Sequence, residues 1–315
     1  MKRACCGGWP TRAGFRHLVA LVGSAWLCAA HPAAAQDLSP RAYLITPVGT
    51  NVLVVNYSYL EGGVEFNGSV PITGARADIN LPLLSYYHGF DLLGRAANFS
   101  IAQGYGFGDY HGIVAEVPKH SDRSGFLDTY ARLSVNLIGG PAMRPAEFSQ
   151  WHQTVLLGAS LEIVAPDGQY NPDRLINYGT NRWGFKPELG YSERWGHWLL
   201  DTYVGVWFFT ANTAYYPGTR TLSEATVGAV EAHLSYDFMP RLWVSLDANY
   251  WWGGETSLNG IANVATDQRN SRVGITGSAP LTAHQTIKLS FSDGAYIHYG
   301  GNYRSVSLAW QYGWL

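Results

Sequence analysis

Along residues 303–315 the side chains alternate. Val306, Leu308, Trp310, Tyr312 and Trp314 share one parity, and Ser305, Ser307, Ala309 and Gln311 share the other. Successive side chains of a strand point to opposite faces, so this spacing predicts a strand with one apolar, aromatic-ended face and one small, polar face. The same period recurs along the chain. Residues 127–137 set Leu127, Thr129, Ala131, Leu133, Val135 and Leu137 against Asp128, Tyr130, Arg132, Ser134 and Asn136. Residues 154–165 set Leu157, Ala159, Leu161 and Ile163 against Ser160 and Glu162. Residues 76–87 place Ile79, Leu81 and Leu83 against Asp78 and Asn80, which predicts that the two polar residues face inward. With 52–60, 96–107, 183–191, 198–210, 230–236, 244–252, 272–276 and 287–291, the count is twelve strands.

Strands of about ten residues with aromatics at their ends are what a tilted crossing of a bilayer requires. Beyond Gln36 no uninterrupted apolar run reaches the roughly 20 residues of a spanning helix. In lipid only helices and closed barrels satisfy their own backbone. The expected fold is therefore all-β: a transmembrane antiparallel up-and-down barrel of about 12 strands. Connection lengths agree, because long polar segments at 61–74, 108–125, 166–182 and 253–269 alternate with compact ones at 88–95, 192–197 and 237–242. Segment 138–151 is longer, and 145–151 suits one short helical turn. An even strand number puts both termini in the periplasm and the long loops outside.

Composition sharpens this picture at two points. The charged share is 14%, against roughly 25% in a soluble chain, while 12 Trp and 20 Tyr supply interface anchors. At the N-terminus, Lys2, Arg3, Arg12 and Arg16 precede an apolar run and Ala33, Ala34 and Ala35, the pattern of a secretory signal. The expected organisation is a removed signal over 1–35, an N-terminal segment over 36–50 that is periplasmic or plugs the lumen, and a barrel over 51–315. Cys5, Cys6 and Cys28 all lie in the signal, so disulfides and thiol-bound metals are excluded from the mature chain. Removing the four signal residues from the 21 basic ones leaves 17 against 23 acidic, a net charge near −6 that argues against nucleic acid as a partner. The expected partners are outer-membrane lipid, lipopolysaccharide and a small solute.

Candidate chemistry lies on the polar parity. Asp128 and Arg132, Glu162, Lys186 and Glu188, and Asp201 fall there on successive strands, followed by Glu231 and His233, Asp247, Arg272 and Lys288. Charges on one face of neighbouring strands pair, and they either plug the bore or line a pore whose constriction sets selectivity. Glu162, Lys186, Glu188 and Asp201 are the expected constriction. Tyr170, Tyr178, Tyr215 and Tyr216 in the long segments suit an aromatic entrance. Gly104, Gly106 and Gly108 lack the spacing of a phosphate-binding turn and are expected to be small inward positions. Asp109, His111, His120 and Asp122 match no known metal-ligand spacing, so no metal or cofactor is expected. The outward parity of these strands carries no His for esterase chemistry, so no enzymatic activity is expected.

The chain also resembles a known family, the outer-membrane transporters associated with the meta-pathway of phenol degradation. The likeness lies in Pro40-Arg41-Ala42-Tyr43, Pro47-Val48-Gly49-Thr50-Asn51 and Arg132-Leu133-Ser134-Val135-Asn136-Leu137. It continues through the block from Tyr170-Asn171-Pro172-Asp173 to Leu189-Gly190 and in Ala309-Trp310-Gln311-Tyr312. The resemblance implies an outer-membrane barrel that admits small, often aromatic, molecules. A passive channel for phenol-like solutes is the function expected, with a non-conducting structural or adhesive barrel as the alternative.

Overall fold

The computed structural model describes residues 38–65 and 72–315. The expected signal over 1–35 lies outside the described residues, as do residues 36 and 37. In chain order the elements are β1 (Asn51–Gly63), β2 (Ile72–Leu92), β3 (Arg95–Val114), β4 (Val117–Phe126), β5 (Thr129–Ile138), α1 (Pro145–Phe148), β6 (Val155–Ala165) and β7 (Gly184–Trp195). They continue as β8 (Trp198–Phe209), β9 (Asn212–Tyr215), β10 (Arg220–Glu224), β11 (Val227–Met239), β12 (Leu242–Gly253) and β13 (Thr256–Leu258). The last are β14 (Ile261–Asn263), β15 (Gln268–Pro280), β16 (Gln285–Tyr296) and β17 (Asn302–Trp314).

β4 and β5 both pair with β3 and are two halves of one crossing, broken at Leu127 and Asp128. Among the described residues the antiparallel sheet thus makes twelve crossings, and it closes where β1 pairs with β17 from Asn51↔Trp314 to Gly63↔Asn302. The alternation dictates this closure, because an open edge has no hydrogen-bond partner in hydrocarbon. Compact turns join the strands at one rim. Leu93 (φ 54°) and Gly94 (φ 80°) make a two-residue turn whose left-handed backbone matches the twist of β2 and β3. At that rim α1 forms within the expected helical segment, and its buried Phe148 stacks on Trp151 at 5.8 Å.

Facing follows parity on most strands. Leu133, Val206 and Leu308 are exposed on the outer face and Leu157 shares its parity, whereas Arg132, Glu162, Asp201 and Gln311 are buried inside. Two expectations are overturned. On β2 it is Ile79, Leu81 and Leu83 that face inward, while Asp78 and Asn80 point out. Outward polar groups are tolerated there because Tyr59 Oη donates to Asp78 Oδ1 at 2.9 Å and Tyr57 Oη donates to Asn80 Oδ1 at 2.5 Å. Leu127 also points in, since the break beside it places two consecutive buried residues, Leu127 and Asp128, on the inner side.

The segment 108–125 is no loop. β3 and β4 stay paired up to Val114↔Val117 and turn at Ala115 and Glu116, so the hairpin projects well past the barrel. The connections after β8 and β12 also carry structure, joining in a small sheet of order β14-β13-β10-β9.

Residues 38–50 fold inside the barrel. Ser39, Arg41, Ala42, Tyr43, Leu44, Ile45 and Thr46 are all buried. Their hydrogen bonds span the lumen from Thr46 on Tyr87 of β2 to Arg41 on Ser235 of β11.

Candidate functional site: the barrel interior

A charged layer occupies the inner wall formed by β5, β6, β7 and β11. Arg132, Glu162, Lys186 and Glu188 are each 6% exposed or less. Strand register explains their meeting: Arg132 lies opposite Glu162, and Glu162 opposite Lys186. Lys186 Nζ is 2.6 Å from Glu188 Oε2, 3.4 Å from Glu231 Oε1 and 3.9 Å from Glu162 Oε2. Arg132 reaches Glu162 and Glu188 at 3.4 Å each. Low dielectric strengthens such attractions, and only mutual pairing repays the desolvation of each charge. Asp201, expected beside Lys186, lies instead across from His233 in the β8–β11 register. His233 Nδ1 is 2.9 Å from Asp247 Oδ1, and Thr276 Oγ1 donates to Asp247 Oδ2 at 2.7 Å.

Tyr43 completes this layer from the inserted segment. Its hydroxyl donates to Glu188 Oε1 at 3.0 Å and lies 2.9 Å from Ser160 Oγ, which therefore donates to it. The Arg132 guanidinium stacks 4.7 Å over the Tyr43 ring. Room for that ring comes from Gly158 and Gly190, register partners on β6 and β7, where any side chain would occupy the ring's own position. Next to it, the Ala42 N–H donates to Tyr203 Oη at 2.9 Å. Arg41 pairs with Asp237 at 2.7 Å and lies 4.2 Å over the Trp243 ring. Arg41, Ala42 and Tyr43 thus bring to the wall a cation, a backbone N–H and a phenol, each partnered.

The remaining candidates have other surroundings. Asp128 anchors the connection after β6: its carboxylate accepts from Gly168 N and Thr180 N at 2.9 Å each, and from Thr180 Oγ1. Arg272 donates to Ser292 at 3.1 Å, and Lys288 lies 5.9 Å over the Trp243 ring. Of the entrance tyrosines, Tyr178 is folded inward against Gly106, with its hydroxyl 3.3 Å from that of Tyr110. Burial holds the Tyr178 phenol above its ordinary pKa, so it stays neutral. Tyr170 donates to the Ala214 carbonyl at 3.0 Å, tying two loops together, while Tyr215 and Tyr216 lie half-buried at the end of β9.

Nearer the long-loop rim the interior turns apolar. Trp207, Trp251, Val164, Val227, Tyr130 and Leu83 form one buried cluster with Phe209 and Ile297 against it. On the facing wall Leu60, Ile79, Leu81, Leu127, Tyr178 and Tyr303 form another. The inward residues that the sequence did not single out are Tyr43, Tyr203, Trp207 and Trp251. Their signal was present in part, as Tyr203 and Trp207 alternate with Val204, Val206 and Phe208, and inward glycines at 106, 158 and 190 mark places that another side chain fills. Asp109, His120 and Asp122 come together outside the barrel, with donor atoms within 4.8 Å of one another. His111 and His120 also lie on the outward face, where the strand reading placed no histidine.

No curated protein sequence matches the chain. Among solved structures it is similar to the COG4313 outer membrane channel from Pseudomonas putida F1, at 19% identity and a TM-score of 0.73, over 88% of this chain and 100% of that one. It is also similar to the β domain of the Bordetella autotransporter BrkA, at 13% identity and a TM-score of 0.47, over 84% of this chain and 100% of that one. The first likeness bears out the outer-membrane barrel fold. Over residues 61–314 the chain matches the family described as "Putative MetA-pathway of phenol degradation", and it belongs to that family.

Proposed function

We propose that this protein is an outer-membrane channel for passive uptake of small, weakly polar aromatic solutes of the phenol type. The observation that carries the proposal is the apolar, tryptophan-rich interior on the long-loop side, next to the ion-paired layer of Arg132, Glu162, Lys186, Glu188 and Glu231. Water-filled barrels have polar interiors, so buried Trp207 and Trp251 facing inward favour an aromatic ring over an ion. Paired charges beside it exert little net force on a neutral solute yet offer carboxylates to a passing hydroxyl. In this scheme Tyr43, a phenol already seated on Glu188 and Ser160, holds the position that a phenolic solute would take. Residues 38–50 act as the plug, and solute passes when that segment shifts. Export to the outer membrane through the 1–35 signal belongs to the same proposal, as do the pore-lining roles of Arg132, Glu162, Lys186, Glu188 and Glu231.

Planar-bilayer recording and uptake of labelled phenol in a porin-poor host test it. Tyr43→Ala should raise both conductance and phenol uptake, and Lys186→Ala, which removes the one cation shared by Glu162, Glu188 and Glu231, should favour cations. If the native barrel and both variants are electrically silent and leave phenol uptake unchanged, the channel is rejected and a structural barrel takes its place.

A further inference from the structure

We propose that the projecting β3–β4 hairpin carries a surface site for a borderline divalent transition metal, Zn²⁺ or Cu²⁺ in type, held by Asp109, His120 and Asp122 with His111 beside them. The proposal stands apart from the channel reading, since the site lies on the outer face beyond the barrel wall. Register builds it. Asp109 is paired across the hairpin with Asp122, and His111 with His120. All four side chains therefore leave the same face of the β3–β4 pair, which β2 flanks on the β3 side with Asp78 opposite Asp109 and Arg76 opposite His111. His120 Nε2 is 3.0 Å from Asp122 Oδ1 and 3.4 Å from Asp109 Oδ1. The three donor atoms all lie within 4.8 Å of one another, close enough to share one ion. The His111 ring stacks on that of His120 with centroids 4.7 Å apart, which brings a second imidazole to the cluster.

Two features argue for a ligand rather than an incidental polar surface. Like charges placed directly opposite each other destabilise a strand pair, and here two aspartates oppose each other with a single imidazole contacting both carboxylates. A divalent cation would relieve that repulsion. The donor set is also mixed, and imidazole with carboxylate suits zinc and copper, whereas calcium and magnesium prefer oxygen alone. The platform is preorganised, because both strands remain in register past the cluster to Val114↔Val117. Below it, Tyr105 and Phe126 pack edge to face at 5.2 Å on the same outward face, so the cluster sits on the loop side of an aromatic anchor.

The test uses the purified, folded barrel in detergent, dialysed against Zn²⁺ and separately against Mg²⁺, with bound metal measured by mass spectrometry. About one Zn²⁺ per chain is expected, with no Mg²⁺ retained. Losing a supporting group around a metal costs about 10–100-fold in affinity, so His120→Ala, which removes a ligand, should weaken Zn²⁺ at least that much. His152→Ala, at the other rim, should leave binding unchanged. The shift in gel mobility on heating reports whether each variant remains a folded barrel, and Asp109→Asn with Asp122→Asn supplies a second, milder disruption. Loaded with Cu²⁺, the protein should show nitrogen couplings from two imidazoles by electron paramagnetic resonance, reduced to one in His111→Ala. Zn²⁺ bound equally by native protein and His120→Ala, or by neither, would overturn the site. Couplings unchanged in His111→Ala would remove that residue from it.

Discussion

On the side of the lumen formed by β5–β8 and β11, the inward positions carry Arg132, Glu162, Lys186, Glu188 and Glu231. On β1, β2 and β17 they carry Leu60, Ile79, Leu81 and Tyr303. Both walls obey the same two-residue period. They differ in what covers them: the charged wall is closed by its own pairs and by Tyr43, the apolar wall by Leu127 and by Tyr178 folding in from a loop. The difference teaches that alternation locates a membrane strand without saying which of its faces is inside. On β2 the apolar parity is the inner one, because it packs against Leu127 and Tyr178, while the polar parity finds tyrosine hydroxyls on the outside.

The largest effect should come from breaking the charged wall. Arg132→Ala leaves Glu162 and Glu188 without one of their cations, and removing one member of a buried ion pair costs about 3–5 kcal/mol. Urea unfolding of the barrel in lipid vesicles measures it, and a loss below about 1 kcal/mol, the range of a solvent-exposed pair, would mean that water already screens the network. Next comes Ile79→Asp on the apolar wall. It should cost about 2–4 kcal/mol, through lost packing and an unpartnered buried carboxyl. Tyr178→Phe removes only the hydroxyl contact with Tyr110 and should cost about 0.5–1.5 kcal/mol in the same titration. The smallest change is expected at Asp78→Leu, within about 0.5 kcal/mol, because that side chain points out. Asp78→Leu proving costlier than Ile79→Asp would reverse the facing of β2 and erase the contrast between the walls.

How far the sequence could be read follows the same line. The crossings, the closing pair β1–β17 and the facing of β6, β7, β8 and β12 were legible, because in each the charged or polar parity is also the one that pairs inside. On β2 the rule failed, since Tyr57 and Tyr59 satisfy Asn80 and Asp78 on the outside, a pairing that depends on the neighbouring strand. The charged cluster was legible as a set but not as a geometry. Lys186 has Glu231 rather than Asp201 among its partners, which depends on how deep each strand sits in the wall. The hairpin cluster was unreadable for a related reason, because spacing along the chain gives no hint that Asp109 and Asp122 are register partners.

Gly158, Gly190 and Tyr43 form a unit in heredity as well as in space. The ring lies where side chains at both glycines would have to go, so the three positions should vary together across descendants of this barrel or not at all. Gly158→Ala, harmful alone, should be nearly silent in a Tyr43→Ala background, a non-additivity that a double-mutant cycle would read as direct coupling. A lineage that gave up the tyrosine would then be free to refill its wall, and two alanines in place of the glycines would mark a barrel whose interior strap has taken another path.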